Sequence, residues 1–230
     1  MTAGDTATPR ALGGSGAVAW WTTRSDGDLR AVGLGGTPPP ALPPRARLQR
    51  LRQVHGAAVV VVDAGVPEED PAPDGDALVG RGSGDVLAVF TADCASVALG
   101  STAGVQAAVH VGWRGLLAGV VEAAISAMAA MGADDVEAGL GPCIGPCCYE
   151  FTGGPLDQMA ERYGEEVRGR TRTGTPALDL AAGVRLALSG AGARLVVDDA
   201  RCTGCSADAW SHRVRGDDAR QALFVWRPAG

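Results

Sequence analysis

The chain has 230 residues, enough to bury a substantial core without disulfide or metal staples. Its net charge is −6 and its pI is near 5.0, which argues against broad binding to nucleic acid or to an anionic membrane. Every basic residue is an arginine, so a small anionic ligand would have to be held by a local arginine cluster. Residues 1–16 lack a basic stretch followed by an apolar one, and no apolar run approaches the roughly 18 residues that span a bilayer. The expected address is cytoplasmic. In that setting Cys94, Cys143, Cys147, Cys148, Cys202 and Cys205 read as thiols or ligands, not disulfides.

Residues 1–16 carry no motif and are read as a flexible segment ahead of one domain over 17–230. Residues 17–23 read as a strand entering a turn at 24–27. Residues 35–44 are a Gly/Pro connector that can be neither helix nor central strand. The stretch 51–63 passes through His55-Gly56 into a valine-rich strand. An acidic, Pro-rich loop over 66–75 leads to buried strands at 76–79 and 85–91, the second ending at Asp93-Cys94. A strand pair at 96–99 and 105–109 turns at 100–104 and runs into His110. Residues 116–131 read as one amphipathic helix. A strand at 136–140, a Gly/Pro/Cys loop at 141–150, helices at 155–163 and 177–188, and strands at 194–198 and 221–226 complete the chain. No internal repeat divides it. The mixture of strands and helices indicates an α/β or α+β domain.

Three histidines are present: His55, His110 and His212. His55, His110 and Cys94 each lie where a predicted strand meets a loop, and strand ends far apart in sequence can converge at one rim of a sheet. Two imidazoles and a thiolate are good zinc donors, at about 2.0–2.3 Å, and three protein ligands leave a fourth position open. From spacing alone the alternative is two hydrogen-bonded histidines and a buried cysteine.

Five phrases occur in order: Gln53-Val54-His55-Gly56, Thr91-Ala92-Asp93-Cys94, His110-Val111-Gly112-Trp113-Arg114-Gly115, Gly141-Pro142-Cys143-Ile144-Gly145-Pro146-Cys147-Cys148-Tyr149-Glu150 and Ser211-His212-Arg213. Together they resemble the YfiH-type laccase-domain family, long labelled polyphenol oxidases and now regarded as purine nucleoside phosphorylases. The resemblance implies a single α/β domain with a mixed, sandwich-like β core and flanking helices. It implies that His55, Cys94 and His110 bind zinc and carry catalysis, with copper as the alternative occupant. It implies phosphorolysis of adenosine, inosine and methylthioadenosine, with adenosine deamination, so that the partners are a purine nucleoside and phosphate. The chain departs from the family in having Thr23-Arg24-Ser25-Asp26-Gly27 for Thr-Arg-x-Gly-Gly, a short stretch between Arg24 and Gln53, and no Leu-Asn-Leu-Gly phrase within 32–36.

Around the ligands, Arg114 precedes a predicted helix and reads as a phosphate anchor. Arg213, Gln53 and Arg24 are further candidates for substrate or phosphate contact, and Arg220 accompanies Arg213 on a polar loop. Asp93 reads as an orienting carboxylate beside Cys94. Cys143, Cys147 and Cys148 read as a rigid loop. Cys202 and Cys205 have half of a structural zinc spacing without a partner pair, so no second zinc is expected. Two other enzyme readings stand beside the phosphorylase. One is a cysteine hydrolase or amidase using Cys94 and His110, since the family's fold is similar to that of a toxin-type deamidase with a Cys/His pair. The other is a copper polyphenol oxidase. A zinc-stabilised binding protein is the non-enzymatic alternative.

Overall fold

The structure is a computed structural model and describes residues 8–31, 39–44, 46–62 and 71–228. The predicted connector at 35–44 and acidic loop at 66–75 fall partly outside these residues, and the missing Leu-Asn-Leu-Gly phrase lies outside them altogether. In chain order the strands are β1 (Arg10–Ala11), β2 (Val18–Trp21), β3 (Arg47–Gln49), β4 (Val59–Val62), β5 (Ala77–Arg81), β6 (Asp85–Thr91), β7 (Ala95–Gly100), β8 (Val105–Val111), β9 (Glu137–Leu140), β10 (Arg168–Arg170), β11 (Pro176–Leu178), β12 (Arg194–Asp198) and β13 (Gln221–Trp226). The helices are α1 (Trp113–Ala118), α2 (Val120–Ala130), α3 (Gly154–Tyr163), α4 (Leu180–Gly190) and the one-turn α5 (His212–Arg215).

Two mixed sheets carry the architecture. One has the order β1-β2-β13-β6-β3 and the other β12-β9-β7-β8-β5-β4. Strand alternation sorts their side chains into layers. Leu87 and Val89 of β6 and Leu223 and Val225 of β13 meet Leu78, Ala98 and Ala108 of the second sheet in the interior of a sandwich. Val79, Val97, Val109 and Val111 point the other way, under Leu116, Val121, Met128 and Val184 of the helices. Trp20, Val86 and Phe224 face outward from the first sheet and are covered by segments that include Leu42. The six-stranded sheet is thus buried on both faces, so β7 and β8 read as nearly continuous apolar runs.

Several expectations are corrected. Residues 8–16 belong to the fold: β1 pairs with β2, and Leu12 is fully buried. The predicted helix over 116–131 is two helices. Gly119, at φ 86°, ends α1 and begins α2, a left-handed backbone that glycine adopts without a Cβ clash. The predicted helix at 177–188 begins only at Leu180. Ala177 pairs with Gly169 in a two-stranded ribbon, and the Asp179 side chain caps α4 by accepting a bond from the Ala182 amide at 2.9 Å.

Candidate metal centre and cavity

Three different devices bring His55, Cys94 and His110 together. His110 lies in β8 on the face that carries Ala108, turned toward the other sheet, and is 2% exposed. Cys94 sits in the short passage by which the chain leaves β6 of one sheet and enters β7 of the other. That passage is tight enough to hold Asp93 at φ 92°. His55 lies in the loop before β4 and is itself left-handed, at φ 61°. Positive φ at two non-glycine residues is unusual and marks positions fixed by their surroundings.

Their donor atoms all lie within 4.8 Å of one another, and His55 Nε2 is 3.8 Å from Cys94 Sγ. Tetrahedral zinc with bonds of about 2.1 and 2.3 Å would hold a nitrogen and a sulfur roughly 3.6 Å apart. The buried carboxylate of Asp76 organises the group. It accepts from His110 Nδ1 at 2.8 Å, from the His55 amide at 2.9 Å and from the Gly56 amide at 2.6 Å. With Nδ1 committed to Asp76, His110 presents Nε2 toward Cys94, the arrangement of carboxylate, imidazole and metal common in zinc sites. Gly112 is required by close approach: a Cβ there would lie 2.9 Å from His55 Cδ2 and 3.3 Å from Cys94 Sγ.

The charges are coupled. Burial alone would raise the Cys94 thiol, but hydrogen bonds and charge from His110 and His55 bring it down to about 6. Burial alone would lower His110, but hydrogen bonds to Asp76 and Cys94 lift it to about 9. Burial would also raise Asp76, yet its bonds from His110 and the two amides hold it below the usual carboxylate range. Each group thus favours the charged form of the other, His110 the Cys94 thiolate and Cys94 the His110 imidazolium.

The trio lines a cavity of about 760 Å³, a size that suits a small molecule. Arg114 and Arg213 are exposed on its lining, and among the described residues neither guanidinium has an ion-pair partner. Each instead lies over an aromatic ring, Arg114 at 4.6 Å from the Trp113 centroid and Arg213 at 5.2 Å from that of Tyr149. Arg220 also lines the cavity, with Nη1 bonded to the carbonyls of Asp217, Asp218 and Ala219. His212 lines it too, its Nδ1 3.3 Å from the Asp217 carbonyl. A cationic, partly aromatic cavity thus sits in an acidic chain.

Other predicted roles are relocated. Arg24 is not among the lining residues; it pairs with Asp217 at 3.2 Å and stacks on Trp210. Gln53 lines the cavity, but its amide is spent on β6, donating to the Phe90 carbonyl and accepting from the Phe90 amide, both at 2.8 Å. The carboxylate hydrogen-bonded to His110 is that of Asp76, not Asp93. Asp93 instead accepts from Thr203 Oγ1 at 2.7 Å and from the Arg213 amide at 2.6 Å, tying the 203–213 segment to the site. Helix α1 is too short for a strong dipole, so what Arg114 presents to the cavity is its own guanidinium. Asp76 was missed because it reads as the first residue of a buried strand. A carboxylate in the apolar setting of Gly75, Ala77, Leu78 and Val79 is itself a signal, since a buried charge needs a partner.

The chain matches the family described as multi-copper polyphenol oxidoreductase laccase over residues 41–228. It is 42% identical over 205 residues to a purine nucleoside phosphorylase of Streptomyces coelicolor, covering 86% of this chain and 80% of that protein. It is 33% identical over 168 residues to adenosine deaminase RL5 from an unknown prokaryotic organism, covering 67% and 64%. The crystal structure of YfiH from Bacillus licheniformis superposes with a TM-score of 0.77 at 20% identity, covering 92% of this chain and 93% of that one, which is a likeness of fold. With a match spanning most of its length, the chain belongs to the laccase-like family described as multi-copper polyphenol oxidoreductase laccase, the YfiH-type family that its five phrases resemble.

Proposed function

We propose that the chain is a zinc-dependent purine nucleoside phosphorylase that also deaminates adenosine. The observation that carries this reading is one cavity lined both by the His55, Cys94 and His110 donors and by the exposed guanidinium groups of Arg114 and Arg213. The names of the Streptomyces phosphorylase and of adenosine deaminase RL5 support the two activities. Adenosine, inosine and methylthioadenosine are the proposed nucleosides.

His55 Nε2, Cys94 Sγ and His110 Nε2 would hold the zinc ion. Zinc bound there would supply Lewis acidity and bring a water's pKa down toward 7. Asp76 keeps His110 in the tautomer that presents Nε2. Arg114 and Arg213 would fix the phosphate that attacks the anomeric carbon of the ribose as the purine leaves. Orientation of that dianion also stabilises the oxocarbenium-like charge that develops on the sugar. Trp113, Tyr149 and Phe90 offer the lining aromatic surface for the base. The three histidines of the chain are too few for a multicopper centre, which argues against an oxidase.

A cysteine hydrolase is the second reading, favoured by the thiolate–imidazolium pair of the metal-free site. The deciding experiment follows adenine and inosine release from adenosine, with and without phosphate, in protein purified without added copper. Phosphate-dependent adenine release that disappears with the metal supports the phosphorylase. Undiminished amide hydrolysis in metal-stripped protein, without phosphorolysis, favours the hydrolase.

A further inference from the structure

The parallel pairing of β9 with β12 places two loops side by side. One follows Leu140 and contains Cys143, Cys147 and Cys148. The other follows Asp198 and contains Cys202 and Cys205. A parallel backbone pairing of Cys143 with Cys202 clips them together, with the Cys143 amide donating to the Arg201 carbonyl at 3.2 Å and the Thr203 amide to the Cys143 carbonyl at 3.1 Å. The partner pair that Cys202 and Cys205 lack in sequence is thereby supplied by Cys147 and Cys148. The four sulfurs all lie within 4.8 Å of one another.

We propose that Cys147, Cys148, Cys202 and Cys205 form a second metal site, a four-sulfur structural centre for zinc, separate from the cavity. Tetrahedral zinc with bonds of about 2.3 Å requires sulfurs roughly 3.8 Å apart. Cys205 Sγ lies 3.3 Å from Cys147 Sγ and 3.5 Å from Cys148 Sγ. Cys205 can form a disulfide with one of them only, whereas near-equal approach to both suits one ion at the centre. Four soft sulfurs in a tetrahedral group select zinc or iron among common metals, and zinc needs no redox partner.

The surroundings fit a four-thiolate centre, which carries two net negative charges with zinc bound. Arg172 Nη2 reaches Cys205 Sγ at 2.9 Å. The Cys205 and Ser206 amides donate to the Cys202 carbonyl at 3.1 and 3.0 Å, closing the turn that carries Cys202 and Cys205. Gly204 makes room beside one of the sulfurs: a Cβ there would lie 3.1 Å from Cys148 Sγ and 2.6 Å from Val214 Cγ2. Thiolates are the ligands, so zinc binding releases thiol protons and weakens as pH falls. The centre would brace the cavity from behind, because Thr203 lies inside the Cys202–Cys205 turn and bonds Asp93, which also holds the Arg213 amide.

The test is elemental analysis of the full chain purified under reductant with zinc present. About two zinc ions per chain are expected for the wild type. The Cys202→Ser/Cys205→Ser variant should lose one and keep the other, and the His55→Ala/His110→Ala variant should do the converse. The two variants separate failure of this site from failure of the catalytic one. Cobalt titration of the unmutated chain guards against misfolded variants. Four thiolates give a sulfur-to-cobalt charge-transfer band far stronger than the one thiolate of Cys94 can give. A cobalt band of single-thiolate strength at saturation, zinc content unchanged in Cys202→Ser/Cys205→Ser, or an intact mass two hydrogens low from a disulfide in this cluster would overturn the proposal.

Discussion

Asp76 and His110 are joined by a 2.8 Å hydrogen bond from Nδ1 to a carboxylate with no exposed surface. The same carboxylate holds the amides of His55 and Gly56, so one buried anion positions two of the three donors. Asp76→Asn removes the anion and forces one acceptor to become a donor. The expected result is a fall of about 10- to 100-fold in metal affinity, the usual consequence of losing a carboxylate behind a ligating imidazole. Competition with a chelator of known strength measures it. Unaltered affinity would show that His110 needs no such support.

The metal-free site has a chemical signature. Cys94 is held at about 6 by His110 and His55 against the effect of burial, so its thiolate predominates above that pH and is lost below it. Alkylation of Cys94 in metal-stripped protein should therefore be near its maximum at pH 7, with a midpoint near pH 6. Zinc should suppress it. Peptide mapping after a short pulse of iodoacetamide checks both points, and a midpoint near that of an ordinary cysteine would refute the thiolate–imidazolium pair.

Gly112 stands against the side chains of His55 and Cys94 at once. Gly112→Ala should lower metal occupancy and activity together, since backbone or ligand must move by several tenths of an ångström to admit the methyl group. Gly190→Ala, in α4 with open space around its Cα, is the matched control and should leave both unchanged. Equal occupancy in the two variants would mean that the ligands tolerate the shift.

Arg114→Lys keeps the charge and loses the bidentate fork. Losing a charge-assisted hydrogen bond costs roughly 1.5–3 kcal/mol, so the KM for phosphate should rise about 10- to 150-fold. Deamination uses no phosphate and should suffer much less. Parallel assays of adenine and inosine release decide the point, and equal losses in both reactions would assign Arg114 to the nucleoside or the fold.

The long strands were legible because each carries an apolar run: β6, β7 and β8 near Gly or Asp, and β13 between Arg220 and Arg227. The short strands β1, β3, β10 and β11 carry no such run and were not legible. The break at Gly119 was not, because apolar periodicity continues across it from α1 into α2. The start of α4 was available in the capping residue Asp179 but was overridden by the apolar residues before it. The three donors became legible through the five phrases, whereas spacing alone left them open. What escaped depends on contacts between distant segments. Arg24 is drawn off to Asp217 and Trp210, Gln53 is spent on Phe90, and Asp93 turns to Thr203 and Arg213. The pairing of the two cysteine loops follows from the parallel register of β9 with β12, which no local pattern reveals.

If His55, Cys94 and His110 hold the zinc on which phosphorolysis depends, stepwise zinc reconstitution of stripped protein in the Cys202→Ser/Cys205→Ser background will restore phosphate-dependent adenine release from adenosine. Activity should rise linearly and saturate at about one equivalent of zinc, with no recovery when Cys94→Ala is added. Full activity in the stripped protein, or saturation with Cys94 absent, would contradict that assignment.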